Sequence, residues 1–147
     1  MSAHVFHEIY LHLTWHTKDN YPLLTPQFEI EVHNFLRDRC RQTDDVYFHS
    51  VGGTKTHVHL AINIEPHVTI SDLVGELKGV SSHDLNKIYR MKRLQWQRGF
   101  GVVSFGKKQL PWVVRYIANQ KEHHAQRTTE SQLERISFDD EGNRFRR

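Results

Sequence analysis

Two histidines, His57 and His59, lie two residues apart in the run Thr56-His57-Val58-His59-Leu60-Ala61-Ile62-Asn63-Ile64. On an extended strand, alternate side chains share a face. Val58, Leu60, Ile62 and Ile64 then form an apolar face, and His57, His59, Ala61 and Asn63 form the opposite one. The two imidazoles sit about 7 Å apart at the backbone, and their rings can converge on one divalent cation. A chain with 12 histidines carries about one His-x-His pair from composition alone, so this spacing needs support from elsewhere. That support comes from Arg115-Tyr116-Ile117-Ala118-Asn119-Gln120-Lys121-Glu122-His123-His124. Tyr116 and Gln120 are four apart, hence neighbours on one helix face. A phenol there can act as a nucleophile while the Gln120 amide offers a neutral oxygen to the metal. Taken singly, Tyr116 also fits a core aromatic on an amphipathic helix.

These groups need elements to position them. Val5, Ile9, Leu11, Leu13 and Trp15 alternate with mostly polar neighbours, which predicts a half-buried strand over 4–16. Phe28, Ile30, Val32, Phe35 and Leu36 predict an amphipathic helix from Gln27, with Thr25 as cap and Pro26 at its first position. Residues 45–51 and 56–64 read as two strands of a hairpin, with Gly52-Gly53 expected to supply positive φ values. A second helix is expected from Thr69 or Ser71 to about Met91, with a possible break at Gly79. A short strand follows near 101–105, then a helix over 109–124. The order β-α-β-β-α-β-α predicts an α+β, ferredoxin-like (RRM-like) fold. Its four-stranded antiparallel sheet would carry helices on one face, with an additional C-terminal helix bearing Tyr116. Residues 1–127 read as a single catalytic domain and 128–147 as a polar C-terminal tail.

Charge is unevenly spread. Residues 1–77 hold 5 basic and 10 acidic side chains, residues 78–121 hold 10 and 1, and residues 122–147 hold 5 and 6. A basic block inside a folded domain points to a polyanion, because phosphate contacts release condensed counterions. Tyr89, Trp96, Phe100, Phe105 and Trp112 are interleaved with it, which favours single strands whose bases lie on aromatic rings. No stretch is long and apolar enough for a membrane span. The first residues have no secretory pattern, and Cys40 is alone, so a reducing cytoplasm is expected.

His57-Val58-His59 on a central strand, followed about 60 residues later by Tyr116-x-x-x-Gln120 on a helix, resembles the single-tyrosine HUH transposases of small bacterial insertion sequences, including the related REP-associated tyrosine transposases. Leu77-Lys78-Gly79-Val80-Ser81-Ser82 resembles a Leu-Lys-Gly-x-Ser-Ser segment of that family. The stretch from Trp96 to Gly106 resembles its Trp-x-x-Gly-aromatic and Ser-x-Gly pattern, with Phe100 where tyrosine is frequent. The tail after Thr128 lacks the family's aromatic-rich ending.

The resemblance implies a DNA transposase acting on single-stranded DNA. His57, His59 and Gln120 would hold Mg²⁺ or Mn²⁺, and Tyr116 would attack a phosphodiester to give a 5′-phosphotyrosine and a free 3′-OH. It further implies hairpin-bearing DNA ends as partner, a homodimer that in some members shares active sites between subunits, and a bacterial cytoplasmic location on the nucleoid. Lys78, Arg90, Lys92, Arg93, Lys107 and Lys108 are the candidates for phosphate contacts.

Two rival readings remain. A metal-free two-histidine phosphoesterase would use His12-Leu13-Thr14 and His67-Val68-Thr69, although the second follows Pro66 and reads as a helix cap. A histidine-triad hydrolase is excluded by Ala61 at its third histidine position. A non-catalytic or domesticated nucleic-acid-binding module of the same fold is the rival from another class.

Overall fold

The computed structural model describes residues 4–126 and 129–135. Four strands, β1 (Tyr10–His16), β2 (Val46–Gly53), β3 (His57–Ile64) and β4 (Gly101–Phe105), form one antiparallel sheet in the order β2-β3-β1-β4. Helices α1 (Pro26–Gln42) and α2 (Ile70–Tyr89) cross between strands, and α3 (Leu110–Ala118), α4 (Gln120–Gln126) and α5 (Ser131–Glu134) follow β4. The ferredoxin-like order and the antiparallel sheet are as the sequence predicts.

Strand alternation sorts the two faces. Leu11, Leu13 and Trp15 of β1 and Val58, Leu60, Ile62 and Ile64 of β3 form the main core with Phe28, Val32 and Leu36 of α1 and Leu73, Val74 and Leu77 of α2. The opposite face carries a smaller core in which Ala61, Val113 and Ile117 are buried and Phe105 packs against them. Thus α3 covers the face that carries the histidines, and β3 is buried on both sides.

Four expectations change. Strand β1 begins at Tyr10 rather than at residue 4. Helix α2 runs unbroken through Gly79 and ends at Arg90, whose φ of 55° closes it in the left-handed conformation. The C-terminal helix is interrupted at Asn119 (φ −105°, ψ 26°), between Tyr116 and Gln120. Residues 129–135, read from the sequence as polar tail, return to the sheet and bury Leu133. The rest of the tail from residue 136 lies outside the described residues.

The glycine pair is also used differently. Gly52 and Gly53 end β2 in extended conformation; the one glycine with positive φ among the described residues is Gly99, at 89°. What they provide is close approach. A Cβ on Gly52 would lie 2.3 Å from the Ile117 carbonyl oxygen, and one on Gly53 would lie 2.1 Å from the His57 carbonyl oxygen. The first allows α3 to seat on β2, and the second allows the chain to reverse into β3. Lys121 reinforces the seat by pairing with buried Glu29 of α1 at 2.7 Å and donating to the Gly53 carbonyl at 3.2 Å.

Gly52→Ala should therefore push α3 off the sheet and cost about 1–3 kcal/mol. Gly79→Ala, where a Cβ would meet nothing within 4 Å, should stabilise α2 by about 0.5–1 kcal/mol. Denaturant unfolding of both variants measures this; equal effects at the two positions would contradict the close-approach role of Gly52.

Candidate active site

Register places His12 opposite Ala61 and Thr14 opposite His59, and His57 begins its strand opposite His16. The side chains of His57 and His59 emerge beneath α3 and α4, where both are almost fully buried, at 3% and 0% exposure. Their Nδ1 atoms are engaged. His57 Nδ1 lies 2.9 Å from the Thr54 hydroxyl and 3.1 Å from the Thr56 hydroxyl. His59 Nδ1 lies 2.7 Å from His12 Nε2. Partners on Nδ1 fix ring orientation and leave Nε2 to point at a ligand. In the metal-free chain His59 donates through Nε2 to Glu134 and accepts from His12 at Nδ1; an ion on Nε2 would require the proton on Nδ1, donated to His12.

The two Nε2 atoms do converge, and they meet more than the sequence suggested. His57 Nε2 is 3.1 Å from His124 Nε2. Glu134 Oε1 lies 3.4 Å from His57 Nε2, 3.2 Å from His59 Nε2 and 3.3 Å from His124 Nε2. Gln120 Oε1 is 3.1 Å from His124 Nε2, and its amide nitrogen donates weakly to the Tyr116 carbonyl at 3.4 Å.

The donor set suits a divalent ion. One ligand atom each from His57, His59, His124 and Glu134 all fall within 4.8 Å of one another. Ligands about 2.1 Å from an ion, in tetrahedral or octahedral geometry, lie about 3.0–3.4 Å apart. The separations of 3.1–3.4 Å match that spacing.

Ionisation favours the same role. Burial, helped by the nearby His59 ring, pushes the His12 imidazole down to about 3. Burial pushes His59 down to about 4 against the opposing hydrogen bond and charge of Glu134. His124 is lowered by burial and then by His57. Neutral imidazoles are the form that binds metal. Burial alone would raise the Glu134 carboxyl. Hydrogen bonds from His57 and His59, the His59 charge, and the Tyr116 hydroxyl outweigh it and hold the group ionised well below the usual carboxylate range.

Tyr116 is the phenol at this centre. Its ring lies between Trp112 and His123, with centroids at 5.5 Å and 4.6 Å and nearly parallel planes. Its hydroxyl donates to Glu134 Oε2 in a short hydrogen bond and accepts from the Glu130 backbone N–H at 2.9 Å. Burial first, and then the bond to Glu134, push the phenol up to about 12. In this arrangement the oxygen is capped and its phenolate disfavoured.

All four predicted site residues, His57, His59, Tyr116 and Gln120, thus come together within one chain. His124 and Glu134 were missed. Tyr116, Gln120 and His124 recur at intervals of four, a signal that was available; nothing in the spacing marks Glu134. The other histidines are placed elsewhere. His7 pairs with Glu65 at 3.2 Å, and His49 bonds Asn63 at 2.6 Å.

The six candidate phosphate contacts divide. Lys92, Lys107 and Lys108 are exposed, as is Arg90 at the helix cap. Arg93 lies over the Phe28 and Tyr89 rings at 4.4 Å from each centroid. Lys78 turns inward and donates to the Gln97 carbonyl at 2.6 Å and the Gly99 carbonyl at 3.0 Å, and burial lowers it to about 8. In the DNA-free chain its donors thus serve the contact between α2 and the segment before β4.

Residues 5–120 match the family described as IS200-like transposases. The chain belongs to this family. Two solved structures share the transposase fold. One is a candidate transposase from Deinococcus radiodurans, 21% identical, covering 82% of this chain and 96% of that one, with a TM-score of 0.65. The other is a REP-associated tyrosine transposase bound to a REP hairpin, 18% identical, covering 84% of this chain and 74% of that one, with a TM-score of 0.59. No curated protein matches the chain significantly. No helix among the described residues is long and apolar enough to cross a membrane.

Two titrations check the electrostatics of this transposase. Glu134→Ala should bring the Tyr116 phenol down toward the ordinary tyrosine range, since it removes a hydrogen-bond acceptor and opens the site. Ultraviolet difference absorbance, with Tyr116→Phe to assign the signal, reads it, and an unmoved phenol would contradict the cap. Acid stability tests the histidines. His12 and His59 titrate below their unfolded value of 6.5, so as pH falls from there toward about 4 the unfolded chain binds protons that the native one refuses. Metal-free stability is therefore full at neutral pH and should drop by about 2–4 kcal/mol between pH 7 and pH 5. Equal stability at both pH values would show that the rings are not held neutral.

Proposed function

We propose that this transposase cleaves and rejoins single-stranded DNA through Tyr116, with a divalent ion held by His57, His59 and Gln120 and further supported by His124. What carries the reading is the meeting of a phenol, an amide and three imidazole nitrogens in a buried site at the end of a basic stretch. A bound Mg²⁺ or Mn²⁺ would neutralise charge on the scissile phosphate and polarise it.

The residues of the chain do the rest. Tyr116 Oη attacks phosphorus, losing its proton, and the bond from phosphorus to the 3′ oxygen breaks. The 3′ oxygen takes up a proton and leaves as a hydroxyl, and the 5′ phosphate stays on the tyrosine. Since the phosphodiester bond is exchanged and not hydrolysed, another 3′-OH can reverse the step without ATP. The phosphate must take the place that the Glu134 carboxylate holds against Tyr116. Both are anions, so the displacement exchanges one charge for another.

Hairpin-bearing DNA is the proposed partner, in keeping with the relative solved on a REP hairpin. Arg90, Lys92, Lys107 and Lys108 are exposed where a backbone can reach them. A homodimer remains part of this proposal, as a means of holding two DNA ends. Within one copy the four candidate residues already lie near one another, and exchange of the tyrosine helix between two copies would give the same set of groups.

The rivals find less support. His67 pairs with Asp45 at the surface, and Thr69 precedes α2, so the second His-x-Thr sequence is not on a strand. A binding module that reads bases on an open sheet would need that face free, whereas α3 packs on Ala61.

The test is cleavage of labelled hairpin DNA with randomised flanks, in Mn²⁺, in chelator, and with Tyr116→Phe. A covalent protein–DNA adduct is expected that needs metal and is absent from the variant. Cleavage that persists in chelator or in Tyr116→Phe would overturn the tyrosine mechanism, and tight binding without adduct would favour the binding module.

A further inference from the structure

Three tryptophans have three different surroundings. Trp15 is fully buried, and Trp96 packs edge-on against it with its indole N–H on the Ser81 hydroxyl at 3.0 Å. Trp112 is 46% exposed. Helix α3 does not need it for anchorage, because Val113 and Ile117 carry the contact with the sheet. Yet its ring lies nearly parallel to Tyr116, at an interplanar angle of 18°. One indole face is thus occupied by the candidate nucleophile while nearly half of the residue stays open to solvent, one helical turn away.

We propose that Trp112 is a positioning residue on which the nucleobase beside the scissile phosphate stacks. This rests on the reading of Tyr116 as the nucleophile. A nucleotide whose phosphate sits at the Tyr116 hydroxyl has its base close to the neighbouring ring, about 6 Å along the helix axis. Every base has a π-face, so stacking there holds the strand without reading its sequence. Exposed Lys107 and Lys108, in the turn that leads into α3, supply charge for the backbone of the same strand. On the other side, His123 stacks on Tyr116, so the base would extend a ladder that already holds the phenol in orientation.

The experiment uses the full chain and a hairpin DNA that the wild type cleaves, with its cleavage position mapped. Each nucleotide flanking the scissile phosphate is replaced in turn by an abasic one. Adduct formation is measured with wild type, Trp112→Ala and Trp112→Phe. Trp112→Ala should lower kcat/KM by about 5–150-fold, and Trp112→Phe should recover most of the loss. One of the two abasic substrates should cost the wild type a similar factor and cost Trp112→Ala little. Equal abasic penalties in both proteins would overturn the proposal and leave Trp112 as packing for Tyr116.

A second readout covers a Trp112→Ala chain that fails to fold. In Tyr116→Phe, the intact DNA should quench emission from the exposed indole, and the matching abasic DNA should not; equal quenching overturns the stack. If the wild type forms no adduct on any hairpin, the nucleophile reading falls and this inference with it. An adduct without coupling removes this inference alone.

Discussion

The structure depends on one strand that is buried on both faces. Strand β3 turns Val58, Leu60 and Ile62 into the main core and His57 and His59 into the site, with one backbone fixing both. A slip of one residue would exchange the faces and put imidazoles among leucines. Burying imidazoles is tolerated only when they stay neutral and partnered. The hydroxyls of Thr54 and Thr56 and the ring of His12 meet that condition. The site is thus a consequence of how β3 is satisfied, and its pre-aimed Nε2 atoms follow from the partners on Nδ1.

The two stretches between β3 and α3 that carried the family resemblance are explained by each other. Lys78 and Ser81 lie on α2; Trp96, Gln97 and Gly99 lie in the segment leading to β4. Lys78 donates to the Gln97 and Gly99 carbonyls, and Trp96 donates to Ser81. Trp96 also bridges to Thr17, directly after β1. These contacts fix where β4 starts, and β4 in turn leads to the turn from which α3 carries Tyr116 to the sheet. Lys78 belongs to the basic block by sequence, and its ammonium is shared by these two carbonyls.

The fold was legible because its signals are periodic. Alternation in β1 and β3 and the spacing in α1 and α2 survive into the structure within a few residues. Spacing of two on a strand places His57 and His59 on one face, whereas Tyr116 and Gln120, expected on one helix, lie on two helices separated at Asn119 and still come together. Three features were not legible. The Gly52-Gly53 pair reads as a turn signal, and its actual role, admitting the Ile117 carbonyl, depends on an element 65 residues away in sequence. The break at Asn119 has no proline or glycine to announce it. Glu134 sits in a polar, weakly patterned stretch whose one buried apolar residue, Leu133, gives no period to read.

Glu134 also shows why the site cannot be understood ligand by ligand. Its two oxygens divide the labour: Oε1 lies among three imidazole nitrogens, and Oε2 accepts the hydrogen bond of the Tyr116 hydroxyl. Any force that draws the carboxylate toward the nitrogens therefore acts on the phenol as well. With Glu134 in place, three imidazoles and a carboxylate face one another, and an ion bound there would have the carboxylate as its one charged ligand among them. The donors on β3 and α4 are held by the sheet and by the Lys121–Glu29 pair, while Glu134 rides on a helix of four residues with one buried anchor. Of the four donors, the one beside Tyr116 is therefore the one with the least packing behind it.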